Sequence, residues 1–483
     1  MDAESLSHGA WTTAITSCHG RPEVLRYYRL HLHRGLPQGL GPTERTLDLT
    51  GLDTKGSTRR RSFVRAAGAL AFLPWPVHEA LAQFRVEVSG VGLTQFPFSI
   101  VGFRGNDVAS QNIAAIVRAD LERSGQFRFV EPVVSGLDET SRPEQAAWRG
   151  KGSDSLVVGS VSRLADGRFD VRFRLWDLVR GQDLGGLSYP VAAGDLRLAA
   201  HRIADHVYEK ITGDKGVFST RVAYVTKTGQ RYNLWVADAD GEGARAALSS
   251  PEPIISPSWA PGGNQLAYVS FEAHKPVIYA HDVATGNRRL LANFKGSNSA
   301  PAWSPDGRQL VATLSLSGNA QIYAVGADGG EPRRLTQTAS IDTEPVFSAD
   351  GKSIFFVSDR GGSPQIYRMS AQGSNAQRVT FTGNYNISPS PSPDGRYLAF
   401  ISRVNGAFRL HLMELASGNV TALTETSADE SPSFAPNSRM IIYATRDSGQ
   451  EALMTTSLDG RIKTRLAGAQ GDIREPEWGP FVR

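Results

Sequence analysis

Hydrophobic and polar positions in residues 221 to 483 alternate in short runs, each too brief for a helix and each closed by a turn. Residues 300 to 338 show the unit. Ala300 to Trp303 predicts a first short strand, and Ser304-Pro305-Asp306-Gly307 a tight turn. Gln309 to Ser315 alternates as a second strand, Gln321 to Val325 as a third, and Arg333 to Thr336 as a polar fourth strand suited to an exposed edge. The first strand recurs around prolines 257, 301, 345, 389, 432 and 476, in steps of 44, 44, 44, 43 and 44. Several short strands per unit at that period predict β-propeller blades. The first unit starts at Arg221 without an inner strand, and the last stops at Arg483 just after one. Residues 475 to 483 are therefore expected to complete the first unit, closing a ring of six blades with strands from both ends of the domain.

Ahead of the repeats the period changes. Phe98 to Phe103 predicts a strand, and Asp107 to Ser124 an amphipathic helix with Ile113, Ile116, Val117 and Leu121 on one face and Gly125 as its stop. Phe127 to Val130 reads as a short strand and Glu144 to Trp148 as a short helix. Leu156 to Ser162 and Arg168 to Leu178 form two strands joined at Asp166-Gly167. Asp195 to Ile211 is a second long helix ended by Gly213. The fold class expected is an α/β N-terminal domain with a mixed sheet (98–214), followed by an all-β six-bladed propeller (215–483).

Charge locates a third feature. The formal net charge is +4, and residues 1 to 82 hold ten of the 52 Lys and Arg but seven of the 48 Asp and Glu. The remainder is nearly neutral, which argues against nucleic acid or an anionic membrane as partner. Residues 59 to 82 combine a basic start, a short apolar stretch from Ala66 to Trp75, and Ala80-Leu81-Ala82. That is the three-part pattern of an export signal, with cleavage expected between Ala82 and Gln83. Arg60-Arg61-Ser62-Phe63-Val64 also resembles the twin-arginine export pattern, so that route and the general secretory route both stay open. The 58 residues ahead of the signal lack clear periodicity, and no Met follows Met1 until Met369. They read as an upstream extension outside the native chain, with translation starting near residue 52, or else as a disordered segment. Cys18 is the only cysteine, so a processed chain would have none, consistent with an oxidising compartment. No apolar run approaches the length of a membrane-spanning helix.

Candidate chemistry is sparse. The Asp of each Ser-Pro-Asp-Gly is isolated and reads as a turn former, not a metal ligand. His201 and His206 are five residues apart on one helix and point to different faces, so they read as surface or interface packing. No G-x-S-x-G elbow, G-x-G-x-x-G loop after a strand, or cysteine pair occurs. The chain is read as a non-enzyme without cofactor or metal. The residues before each repeat proline are expected as loops ringing one end of the channel. They include Ser256, Ala300, Thr343, Glu344, Ser388, Glu430 and Glu475, a mix suited to recognising a folded partner. A propeller hydrolase or lyase, and a scaffold for a different lipoprotein, remain the alternatives.

Over residues 83 to 483 the chain resembles the TolB family, the periplasmic component of the Tol-Pal system. The resemblance is carried by FSIVGF at 98–103, AAIVRADLERSGQF at 114–127, YEKITG at 208–213, RVAYV at 221–225 and the WSPDG-type repeats. It implies a periplasmic monomer that bridges the lipoprotein Pal and the inner-membrane protein TolA and serves outer-membrane integrity and constriction in cell division. It implies that Ser297, Ala300, Thr343 and Glu344 contact Pal, with Pal docking over the channel mouth and coupled to the state of the N-terminal segment. It also implies that the extended segment (83–97), with Arg85, Val86, Glu87 and Val88, engages TolA. The alternation of those four residues predicts a short strand that adds to a partner's sheet or folds back. Prolines 301 and 345 are expected to hold Ala300 and Thr343 in extended form, as rim side chains that support no core.

Overall fold

The computed structural model describes residues 86–88, 95–468 and 471–481. The export signal, its cleavage site at Ala82 and Gln83, and Arg85 lie outside these residues.

The N-terminal unit is a mixed sheet covered by helices. After β1 (Val86–Val88), its elements are β2 (Phe96–Ile100), α1 (Ile113–Arg123), β3 (Phe127–Phe129), α2 (Gln145–Gly150) and β4 (Ser155–Arg163). Then come β5 (Phe169–Asp177), β6 (Gln182–Gly185), β7 (Ser188–Val191) and α3 (Leu196–Thr212). β2 runs parallel to both β3 and β4, β4 and β5 form an antiparallel hairpin, and β6 and β7 share the outer edge of β5. Ile113, Val117 and Leu121 of α1 and Ile203 and Val207 of α3 pack with Phe98, Val157 and Val171 of the sheet. The first helix begins at Ile113, later than its apolar pattern suggests. Asn112 caps it by accepting from the Ala115 amide at 3.1 Å, and Asn106 accepts the Ile113 amide at 3.0 Å. The residues before the cap form a 3-10 turn at Asn106–Val108. Gly213 ends α3 in the left-handed conformation, φ 81°.

Six blades of four antiparallel strands make up the rest. Blade I joins Arg221–Thr228, Arg231–Asp238 and Arg245–Ser250 to the inner strand Asp472–Trp478, which pairs with Arg221–Thr228 and closes the ring. Blades II to VI span 254–292, 298–334, 342–378, 386–422 and 430–465. The repeat aromatics Trp259, Trp303, Phe347, Phe434 and Trp478 are buried. Trp478 also donates its indole N–H to the Thr220 hydroxyl at 2.8 Å. Each Ser-Pro-Asp-Gly works as a turn: Asp306 accepts from the Ser304 hydroxyl at 2.6 Å and the Arg308 amide at 3.1 Å, with Gly307 at φ 69°.

β1 folds back. It pairs antiparallel with Ile462–Arg465, Val86 opposite Thr464 and Val88 opposite Ile462, adding a fifth strand to the outer edge of blade VI. The Ile462 side chain lies against Gly125 at the end of α1, where a Cβ would come within 2.2 Å of the isoleucine methyl. The added strand, blade VI and the N-terminal domain thus meet at one residue.

Candidate functional site

Inner strands meet the channel, and every one carries the same irregularity. Register slips between Ile255 and Ser258, Ser299 and Ala302, Thr343 and Val346, Ile387 and Ser390, Glu430 and Ser433, and Arg474 and Glu477. These are β-bulges at the repeat prolines, which have no N–H for the ladder. The residue before each proline is left-handed: Ser256, Ala300, Glu344, Ser388, Ser431 and Glu475 have φ of 52, 47, 50, 53, 48 and 51°. The extended form expected of Ala300 is therefore wrong. The extra bulge residue outweighs the usual preference of a pre-proline position for extended backbone, at roughly 1–2 kcal/mol per non-glycine residue.

The segments expected as loops are themselves strand, since the inner strand of blade III begins at Asn298 and that of blade IV at Asp342. Ser256, Ala300, Glu344, Ser388 and Glu475 occupy the same bulge position in five blades and so form a ring. Ser256, Ser388, Glu344 and Glu475 are half-buried. Ala300, Thr343 and Glu430 are buried, so Ala300 and Thr343 are not rim side chains. Thr343 meets the Thr313 hydroxyl at 3.3 Å inside the wall. Glu430 lies beside Arg474, whose guanidinium also binds Asp472 at 2.7 Å. Ser297 sits in the connection entering blade III, held by its amide donating to the Ser315 hydroxyl at 2.7 Å.

Two bulge carboxylates reach across seams between blades. Glu344 accepts the Ser388 amide at 2.7 Å, and Glu475 accepts the Ser256 amide. These glutamates are three blades apart in a ring of six, so they staple opposite seams. Glu477, two residues on, points into the same closing seam toward Ser258 and Trp259; burial pushes its carboxyl up to about 8.

A second constellation lies at the other end of the ring, against the N-terminal domain, and it was missed in the sequence. His201 of α3 is 1% exposed. Its Nδ1 meets Asp120 of α1 at 2.6 Å, and its Nε2 faces Asp238 and Asp240 of blade I at 3.7 and 3.8 Å. Arg123 binds Asp120 at 2.8 Å, and Arg197 binds Asp240 and lies 3.4 Å from Asp238. Burial alone would drive the imidazole toward neutrality, but the Asp120 carboxylate overrides it and raises the pKa to about 10. Three cations thus face three carboxylates. His201 is therefore not at the surface; it is part of a buried interface between domains. Asp120, His201 and Asp240 are close enough to hold a cation, but the two arginines and the protonated His201 already balance the three carboxylates. The signal available in the sequence was Asp120 within the apolar stripe of α1, beside Val117 and Leu121.

A second contact binds the domains, Arg439 of blade VI forking onto Asp214 at 2.8 and 2.9 Å. A polar cleft of about 910 Å³ lies in the N-terminal domain, and two of the three arginines that line it are matched: Arg172 pairs with Asp170 at 2.7 Å and Arg174 with Asp183. Among the described residues no helix is long and apolar enough to cross a membrane.

Known proteins match both units. Residues 84–184 match the model of the TolB amino-terminal domain, and 208–482 that of the TolB beta propeller domain. A Tol-Pal system protein TolB from Albidiferax ferrireducens is 80% identical over 403 residues, covering 83% of this chain and 95% of the relative. One from Bordetella pertussis is 50% identical over 449 residues, 92% of this chain and 100% of the relative. The crystal structure of TolB from Acinetobacter baumannii superposes with a TM-score of 0.76 at 37% identity, covering 82% of this chain and 99% of that one.

Proposed function

The chain belongs to the TolB family of Tol-Pal system proteins, and on that premise we propose that it is a non-catalytic periplasmic bridge between the lipoprotein Pal and the inner-membrane protein TolA. Its role is to maintain the outer membrane and draw it inward during cell division. The observation that carries this reading is the ring of bulged inner strands. It holds a fixed set of polar positions at the channel end away from the N-terminal domain, in a frame braced from blade to blade by Glu344 and Glu475. Such a preorganised surface recognises a folded partner with little ordering cost. Pal docks there, over Ser297, Glu344, Ser256 and Ser388, while the buried Ala300 and Thr343 shape the wall behind.

TolA engages the opposite part of the molecule. β1 uses its backbone to extend blade VI, and the same backbone can extend a sheet in TolA once released. Titration calorimetry with the soluble domains tests both ends. The protein binds Pal, and deletion of Gln83 to Leu93 removes TolA binding while leaving the melting temperature close to the unaltered value. TolA binding by that deletion would refute the assignment of the segment.

A further inference from the structure

The blades repeat a second motif, on the connection from the outer strand of one blade to the inner strand of the next. It reads Leu335-Thr336-Gln337-Thr338, Val379-Thr380-Phe381-Thr382 and Leu423-Thr424-Glu425-Thr426. The local geometry is the same each time. The first threonine hydroxyl accepts the amide of Ile322, Ile366 or Leu410 at 3.0 Å. In two of the blades an arginine on the outer strand, Arg334 or Arg378, donates to that threonine's carbonyl at 2.7 and 2.6 Å. The third position is exposed in all three blades. Two blades put a polar side chain there, as exposure favours. The third puts Phe381 there, 74% exposed and the most exposed of the large apolar side chains among the described residues.

Exposure of that ring is not the result of a loose loop. Arg378 fixes the Thr380 carbonyl, Thr380 donates to Gln365 at 2.8 Å, and Asn386 holds the Thr382 carbonyl at 2.8 Å. The Arg378 guanidinium carbon lies 5.3 Å from the ring centroid. A rigid, exposed aromatic beside a cation has the properties of an interface hot spot. The loop lies at the channel end where the inner strands begin, the face assigned above to Pal.

We propose that Phe381 is the aromatic anchor of this face: its ring enters an apolar socket on Pal, with a carboxylate at the socket rim pairing Arg378. The inference rests on the assignment of this face to Pal. Gln337 and Glu425 supply internal controls, because the fold has already placed polar side chains in the same slot.

The test is calorimetric titration of the purified protein with the soluble domain of Pal, for the unaltered protein, Phe381→Gln and Gln337→Ala, with melting curves of each. Phe381→Gln is expected to weaken Pal binding at least about tenfold with an unchanged melting temperature, and Gln337→Ala to change neither. Unaltered affinity in Phe381→Gln overturns the anchor alone. No binding by the unaltered protein overturns the assignment to Pal and the anchor with it. A concentration-dependent dimer that Phe381→Gln abolishes, with Pal affinity unchanged, gives the ring to a second copy of the chain and overturns the proposal.

Discussion

Replacing His201 by glutamine tests the buried charge network between the two domains. Glutamine keeps one hydrogen bond to Asp120 but removes the positive charge. The imidazolium is held at a pKa of about 10, against an ordinary 6.5, because Asp120, and after it Asp238 and Asp240, outweigh the cost of burial. Over that interval, protonation in the fold is worth up to about 5 kcal/mol. Removing one partner from a buried ion pair costs about 3–5 kcal/mol, because the remaining charges lose their compensation. Both routes give the same size. The folded state raises the pKa, so the stabilisation is complete below pH 6.5 and is lost as pH rises toward 10. Scanning calorimetry at pH 6 and pH 9.5 reads both consequences. At pH 6 the variant should melt several degrees below the unaltered protein, with the N-terminal domain and propeller transitions moving apart. At pH 9.5 the two proteins should lie closer together, since His201 is then losing its charge anyway. Equal melting at pH 6, or a gap that does not shrink at pH 9.5, would show that the network does not bind the domains through the His201 charge.

Ala300→Val places a β-branched side chain at φ 47° in a buried position; melting curves should show a stability loss of roughly 1–3 kcal/mol, so any fall in its Pal affinity has to be judged against that loss. Glu344→Gln keeps an acceptor for the Ser388 amide but not the charge, and should lower stability by under about 1.5 kcal/mol in denaturant titration. Truncation after Asp472 removes buried Ile473 and Trp478 and exposes the edge of Arg221–Thr228; it should give insoluble or protease-sensitive protein, and an unchanged melting temperature would refute the closure scheme. Glu477→Gln mimics the protonated acid. The carboxyl is raised to about 8, so the unaltered protein loses stability between pH 4.5 and 8, and the variant's advantage should grow across that window to on the order of 2 kcal/mol after discounting for partial exposure.

Period carried most of the architecture. A fixed step between prolines forced a ring, and the mismatch of the two chain ends forced its closure through the C-terminal strand, expected within 475 to 483 and found at Asp472–Trp478. What local pattern could not supply was the conformation at the proline itself. Before a proline, extended backbone is the ordinary outcome, and only the demand of the bulge puts Ala300 and its five equivalents at positive φ. The same rule about local pattern hid the charge network. His201, Asp120 and Asp240 are widely separated in sequence; only Asp120, set in the apolar stripe of its helix, signalled burial, while His201 and Asp240 show theirs only once the domains are packed together. Phe381 was legible in principle, because the threonine motif aligns it with Gln337 and Glu425, but its meaning needed the exposure and the braced loop.

Hydrogen–deuterium exchange of the protein with and without the soluble domain of Pal shows where on the propeller Pal docks. Protection is expected at the inner-strand starts and their entering connections, 297–300, 342–344 and 381–388, at the channel end away from the N-terminal domain. Protection confined to the N-terminal domain or to the outer edges of the blades would place Pal elsewhere and contradict the proposed docking.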